Sequence, residues 1–269
     1  MSGLKGLDKK WRDWVKVSIL KGVPTNTIAM ELFNRGWTQA AYELMSKKEG
    51  KIDRPHVDLS KNAIVLSDKE LSISYVCYKP HIVVFDDFLS AEECATLIAD
   101  SQNKFKVSEV VNDEDGSRVK STNRISQDVS YSKSSNVVVK TIEARIAELL
   151  TWPANHGEGL LVLKYEDGGE YKPHYDYFNP DKEGSNQIMQ KSGQRVGTFL
   201  MFLSEVEAGG STCFPKLNLE IRPKVGRAVF FSNVDLTGQI DEMTLHAGMP
   251  VIQGIKYLAT VWLREKPYS

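Results

Sequence analysis

The sequence has few cysteines, almost no net charge and no long hydrophobic run in its 269 residues. Its three cysteines, Cys77, Cys94 and Cys213, are odd in number and widely spaced, so they predict reduced thiols rather than a disulfide framework or a zinc site. The formal net charge of −1 gives no reason to expect a nucleic-acid or membrane partner. No stretch approaches the roughly 18 apolar residues of a membrane-spanning helix. The amino terminus lacks the apolar core of a signal peptide, and we therefore expect a cytoplasmic protein.

What is present is typical of a globular protein, with 41% hydrophobic and 26% charged residues. The length fits one large β domain with an appendage. We place a small helical module at 1–50, a linker at 51–62 and the β domain at 63–269, because the pattern changes there from helical spacing to short β-type runs.

Residues 1–50 have the spacing of three short helices. On the first helix, one face carries Leu7, Trp11, Trp14, Val15 and Ser18. We expect Thr25 or Asn26 to cap the second helix and Thr38 to begin the third. The segment has nine basic and five acidic residues, a net charge of +4. A helix-turn-helix that binds nucleic acid is one interpretation, but a packing or partner-docking module is favoured, because no basic cluster interleaves with exposed aromatic residues.

The remainder is dominated by short strand-like runs bounded by turns. Two helices interrupt them, one with Ser90 and Glu93 as a capping box and one over 136–150. The polar segment 179–194 is expected to be a flexible loop, and 243–246 a strand. Runs this short and evenly spaced predict a fold that is mainly β with α, an antiparallel sandwich or jelly roll with buttressing helices.

The residues that can carry chemistry concentrate between Tyr165 and Asp176. Residues i and i+2 of a strand point to the same face, so the His174 imidazole and the Asp176 carboxylate are expected to converge. His246 follows Asp176 by 70 residues in another strand-like run. Two histidines and one carboxylate on one side of a metal form the ligand set of non-haem Fe(II) oxygenases. Zinc also accepts these ligands but would provide no redox chemistry.

Lys256 lies in an otherwise apolar run that ends at Trp262. A hairpin turning between Pro250 and Gly254 would place it alongside His246. On the inner face this lysine would need an anion, since an unpaired buried charge is costly, and the distal carboxylate of a metal-bound oxoacid would supply one. On the outer face its ammonium would lie in water, and alternation alone leaves both faces open.

Tyr165 and Thr198 have hydroxyls at strand positions. They can donate hydrogen bonds to the same anion, or they can be interior β-forming residues. The sequence favours neither interpretation.

With these residues, the chain resembles a prolyl 4-hydroxylase of the 2-oxoglutarate- and iron-dependent dioxygenase superfamily. The similarity covers roughly residues 80–266 and is especially close over 163–176 and 246–257. The matching stretches are 80–94, 124–126, 158–178, 195–215, 223–231 and 245–264.

The resemblance implies a double-stranded β-helix core. The implied iron ligands are His174, Asp176 and His246. Lys256 is implied to pair with the distal carboxylate of 2-oxoglutarate, and Tyr165 and Thr198 to line the cosubstrate pocket. The residues implied near the peptide groove are Arg124, Ser126, Glu158, Tyr171 and Trp262.

The implied reaction hydroxylates proline in a peptide or protein while 2-oxoglutarate is converted to succinate and carbon dioxide. Fe(II), 2-oxoglutarate and dioxygen are implied, with ascorbate as reductant. Asp176 favours hydroxylation, because related halogenases lack this carboxylate so that halide can bind. The loops at 108–123 and 179–194 are where peptide specificity would reside. A cytoplasmic peptidyl substrate is expected rather than collagen.

Two other functions are open. The same chemistry could act on a free amino acid or another side chain, although Arg124, Glu158 and Trp262 favour an extended peptide. A non-catalytic alternative is a metal-stabilised binding module whose basic helical head holds a nucleic acid or partner. Lys256 argues against that alternative, since a pure binding module has no need of it.

Overall fold

The structure, a computed structural model, describes residues 4, 6–46, 54–59, 63–112, 114–235 and 237–268. The helices are α1 (Lys9–Leu20), α2 (Thr25–Asn34), α3 (Thr38–Ser46), α4 (Ala91–Ser101), α5 (Val137–Leu150) and α6 (Glu183–Ser192). The strands are β1 (Ala63–Val65), β2 (Glu70–Cys77), β3 (Ile82–Asp86), β4 (Lys106–Val107), β5 (Glu109–Val111), β6 (Arg118–Lys120), β7 (Gln127–Ser130), β8 (Leu161–Tyr165), β9 (Tyr171–His174), β10 (Arg195–Phe202), β11 (Ala208–Gly209), β12 (Thr212–Phe214), β13 (Leu219–Ile221), β14 (Ala228–Ser232), β15 (His246–Gly248), β16 (Val251–Gln253) and β17 (Lys256–Arg264).

Helices α1 to α3 confirm the three predicted helices and have a core of their own. Asp8 caps α1 by accepting a hydrogen bond of 2.9 Å from the Trp11 N–H. The buried core residues are Leu7, Val15, Ile28, Ala29, Leu32, Ala40, Ala41 and Leu44. The predicted cap of α2 was wrong: Pro24 takes the N-cap position and Thr25 is the first helical residue. Proline suits the start of a helix, where its missing N–H has no intrahelical partner to lose.

Two antiparallel sheets enclose a shared core. The larger has nine strands in the order β1-β2-β3-β14-β10-β17-β8-β7-β4, and the smaller has four in the order β13-β12-β15-β9. Apolar residues of both sheets pack together, including Leu163, Leu200, Phe214, Ile221 and Phe231. Two further pairs, β5-β6 and β11-β16, form small ribbons. The prediction of a mainly β jelly roll is confirmed.

The other face of the larger sheet packs against α4 and α5, as predicted. Tyr257, Ala259 and Val261 of β17 belong to that helix-covered core, whereas Leu258 belongs to the core between the sheets. Alternation then puts Lys256 on the inner side with Leu258. The capping box of Ser90 and Glu93 at the start of α4 is confirmed, and Asn136 caps α5.

The expectation of a flexible loop over 179–194 is wrong, because this segment contains α6. The helix is held from outside: the Arg264 guanidinium donates to the carbonyls of Ile188 and Gly193 at 3.3 and 2.6 Å. Gly193 has φ +71°, a left-handed conformation that suits glycine at a helix end. These contacts come from a distant strand, so the local pattern of polar residues did not reveal them.

The expectation of a strand over 243–246 is also wrong. Glu242–Thr244 form a 3-10 turn, in which Asp241 accepts a hydrogen bond of 2.9 Å from the Met243 N–H, and β15 begins only at His246. The division at 51–62 stays a prediction, since 51–53 and 60–62 lie outside the described residues. All three cysteines are free, as predicted. None of the helices in the described part of the chain has the length and apolar character to cross a membrane.

Candidate active site

The structure brings His174, Asp176 and His246 together. His174 ends β9, His246 begins β15, and the two residues are direct partners in the antiparallel register. The Nε2 atoms of His174 and His246 lie 3.7 and 3.5 Å from the two carboxylate oxygens of Asp176. One donor atom from each residue lies within 4.8 Å of the others. The predicted convergence is therefore present in the fold.

Backbone contacts prepare both imidazoles to bind a metal through Nε2. Nδ1 of His174 lies 2.8 Å from the Lys172 carbonyl, and Nδ1 of His246 lies 2.9 Å from the Thr244 carbonyl. A carbonyl only accepts, so each Nδ1 carries a hydrogen, and Nε2 of the neutral ring is the nitrogen left to bind a metal. Burial, with a smaller effect of His246, lowers the pKa of His174 to about 3, so its ring is neutral near pH 7.

The carboxylate of Asp176 is kept ionised and held in place. Burial alone would raise its pKa, but the charge of Arg195 and the hydrogen bond from Thr198 act in the opposite direction, and the pKa lies below its ordinary value. The Thr198 hydroxyl donates to Oδ2 of Asp176 at 2.8 Å, and Asn233 donates to the Thr198 oxygen at 3.1 Å. The sequence did not single out Asn233, which follows a buried strand in a polar turn. Two neutral nitrogens and one carboxylate on one side suit Fe(II).

Lys256 approaches the three metal-binding candidates from the larger sheet, opposite the sheet that carries the two histidines. The predicted hairpin beside His246 is wrong: β16 pairs with β11, and Lys256 instead pairs in register with Tyr165 of β8. Its side chain nonetheless lines a cavity together with His246 and Gly248. Between β15, which carries His246, and β17, which carries Lys256, the chain passes from the smaller sheet to the larger one. Neither alternation nor turn residues predict such a change of sheet.

The Lys256 ammonium is buried without an acidic partner. The residue is 1% exposed, and burial lowers its pKa to about 7. Its nitrogen lies 5.3 Å from the centre of the Tyr165 ring and 5.6 Å from that of Phe202. Among the residues that the structure describes, no carboxylate forms an ion pair with it. A buried cation in this setting fits an anionic ligand.

Comparison with known proteins agrees with this geometry. The sequence profile of the 2OG-Fe(II) oxygenase superfamily matches residues 160–264, a span that contains the three metal-binding candidates and Lys256. "Probable prolyl 4-hydroxylase 3" of Arabidopsis thaliana is 37% identical over 211 residues, which are 71% of this chain and 72% of that protein. "Probable prolyl 4-hydroxylase 10" of the same plant is 33% identical over 255 residues, 88% of this chain and 84% of that protein. The chain belongs to the prolyl 4-hydroxylase family.

A solved structure is also similar. The viral collagen prolyl hydroxylase of Paramecium Bursaria Chlorella virus-1, in its 2OG complex, is 28% identical with a TM-score of 0.53. The match covers 68% of this chain and 95% of that one. Family membership and the His-Asp-His set together make this chain a 2-oxoglutarate-dependent oxygenase that uses Fe(II).

A cleft of about 960 Å³ opens from the metal-binding candidates of this oxygenase to the surface. Glu158 and Trp262 line it, as expected near a peptide groove. Glu158 accepts hydrogen bonds from Arg195 at 2.7 and 2.8 Å and from Arg264 at 3.0 Å. The Arg195 guanidinium lies 3.9 Å from the centre of the Trp262 indole ring. Arg195 was missed as a site residue, although a cation opening an otherwise apolar strand is an unusual signal.

Arg124 and Tyr171 form the other wall beside the metal-binding candidates. The Tyr171 ring stacks on the His174 ring with centroids 3.5 Å apart, and the Arg124 guanidinium lies 5.1 Å from the Tyr171 ring centre. Ser126 accepts from Nε of Arg124 at 3.2 Å and donates to Ser108 at 2.8 Å. Ser126 is not among the described residues that line the cleft, and it contacts the cleft residue Arg124 from behind.

Proposed function

We propose that this oxygenase hydroxylates proline residues in an extended segment of a peptide or protein, coupled to conversion of 2-oxoglutarate to succinate and carbon dioxide. One observation carries the proposal: His174 and Asp176 line both the long outer cleft and the inner cavity that holds Lys256. A substrate in the cleft and a dicarboxylate in the cavity would therefore meet at the same side chains. The curated relatives support proline as the target.

The roles follow from the contacts. His174, Asp176 and His246 would hold the metal through two Nε2 atoms and a carboxylate oxygen. Bound there, iron would supply the redox chemistry that couples 2-oxoglutarate to hydroxylation. The buried Lys256 ammonium would bind the distal carboxylate, and Tyr165 would line the same cavity. Thr198 would hold Asp176 in place through its hydrogen bond.

The cleft residues would orient the peptide. Arg124, Tyr171 and Trp262 form its walls beside His174, and Glu158 fixes the guanidinium of Arg195 through two hydrogen bonds. These walls exclude water from the reacting proline and leave room for chain on either side. We further propose ascorbate as the reductant and a cytoplasmic location, with Ser126 acting on the peptide through Arg124.

The test is succinate release by the iron-loaded protein with a proline-containing peptide, followed by mass spectrometry of the peptide. Release stimulated by the peptide and a gain of one oxygen atom on proline are expected. His174→Ala is the matched control and should abolish both. Turnover of free proline with no turnover of any peptide would contradict the proposal and favour the amino-acid alternative. A cleft of about 960 Å³ is larger than a free amino acid requires, so we expect turnover of the peptide.

A further inference from the structure

The acidic side chains deep in the cleft already have partners. Glu158 is bound by Arg195 and Arg264, and Asp176 lies between the two imidazoles. Asp128 lies 3.8 Å from a guanidinium nitrogen of Arg124. The carboxylates of Glu158 and Asp128 are therefore compensated by arginines, and that of Asp176 is committed to the proposed metal site.

The ribbon β5-β6 forms one wall and contributes one acidic and one basic side chain to it. Glu109 stands opposite Lys120 in the ribbon register, so opposite charges face each other across the strands. Arg118 stands opposite Val111 instead. Both Glu109 and Arg118 line the cleft, and Arg118 is exposed. Among the described residues, Arg118 has no ion-pair partner.

A second cation lies on the wall formed by β9. Lys172 is exposed and lines the cleft two residues before His174, a span of about 6.6 Å along a strand. Its N–H donates to the Asn123 carbonyl, and no acidic side chain in the described part of the chain pairs with its ammonium. Lys133 also lines the cleft, but its ammonium donates to the Asn155 and Tyr268 carbonyls.

We propose that Arg118 and Lys172 select proline segments that carry Asp or Glu within a few residues of the target proline. This inference rests on the proposed function and names the substrate class of the same cleft. An extended peptide advances about 3.1–3.4 Å per residue, so a carboxylate two or three positions from the proline would lie within reach of Lys172. Because both cations are exposed, each ion pair contributes modestly, about twofold to fivefold in affinity, and weakens with salt.

The experiment uses the full chain and three labelled peptides that differ only in the residues flanking one proline: Glu, Gln or Lys. Dissociation constants are measured by fluorescence anisotropy, and KM and kcat by succinate release. The Glu peptide is expected to bind about tenfold more tightly than the Gln peptide, and the Lys peptide more weakly than both. The preference is expected in KM rather than kcat, and should shrink at high salt.

Reversing the charge of the two cations tests the proposal most directly. The double variant Arg118→Glu, Lys172→Glu should prefer the Lys peptide, whereas the control Lys140→Glu, on the exposed side of α5, should keep the wild-type order. Thermal melting checks that both variants are folded. Equal binding of all three peptides, or an unchanged order in the double variant, overturns the inference. Turnover of the Gln peptide tests proline hydroxylation itself, whereas the order of the three affinities tests the preference for acidic residues. Either proposal can therefore fail without the other.

Discussion

The Thr198 hydroxyl donates a hydrogen bond of 2.8 Å to the Asp176 carboxylate. This contact orients the anionic member of the proposed metal-binding set. Thr198 therefore supports a proposed metal ligand, and it is absent from the described residues that line the cavity of Lys256, where the resemblance implied it.

Thr198→Val should weaken metal binding by about tenfold, because partners that orient a ligand typically account for 10- to 100-fold in affinity. Thr198→Ser keeps the donor and is the matched control. Calorimetric titration with Mn(II), a redox-inactive substitute for Fe(II), measures the effect. Equal affinities for the wild type and the Val variant would contradict the role assigned to this hydrogen bond.

Metal binding should stabilise the fold. A metal at 100 times its dissociation constant adds about 2.7 kcal/mol to the free energy of unfolding. In a chain of this size that corresponds to a rise in Tm of roughly 5–10 °C. His174→Ala should abolish the rise seen on adding Mn(II), and chelation of the metal should reverse it in the wild type. Scanning calorimetry of both proteins with and without metal decides the matter.

Lys256→Met should raise the KM for 2-oxoglutarate, because truncating one partner of a buried charge pair costs about 2–5 kcal/mol. Without cosubstrate the same variant should be more stable than the wild type by about 1 kcal/mol, since it removes a buried cation that pairs with no carboxylate in the part of the chain that the structure describes. Lys140→Met, at an exposed position, should change neither quantity. An unaltered KM would argue against Lys256 as the anchor of the dicarboxylate.

The stability difference should depend on pH. Burial lowers the pKa of Lys256 to about 7 in the folded protein, from 10.5 ordinarily. Between these values the unfolded chain binds more protons, so the free energy of unfolding rises with pH. The stability advantage of Lys256→Met over the wild type should therefore shrink as pH increases from about 7 to 10. Urea denaturation of the two proteins across this range tests the sign, and an advantage of the variant that grows with pH would contradict it.

Glu158→Gln should destabilise the protein by about 3 kcal/mol, because it leaves the buried Arg195 and Arg264 without their carboxylate. Arg195 should then lose its fixed position over Trp262, and the KM for a proline peptide should rise. Glu220→Gln, at the exposed position of β13, is the matched control for charge. Urea denaturation and peptide kinetics report the two effects separately.

The sequence predicted the parts of the site that depend on local rules. Alternation predicted that His174 and Asp176 converge, and they do, although β9 ends at His174 and Asp176 lies in the bend that follows. The resemblance added His246 and Lys256 to the site. Placement of Lys256 beside His246 failed, because the change of sheet between their strands is a property of the whole topology. Helix α6 was missed for a related reason: its carbonyl ends are bound by Arg264, far away in the chain. Long-range contacts of this kind leave no periodicity in the segment they order.

The cross-strand pairing of His174 with His246 also sets a rule for altering this scaffold. A single-residue insertion or deletion in either strand would turn one imidazole to the opposite side of the ribbon and split the chelating pair. Grafted segments therefore belong in the connections beyond these two strands, where length can vary without disturbing which rings face each other.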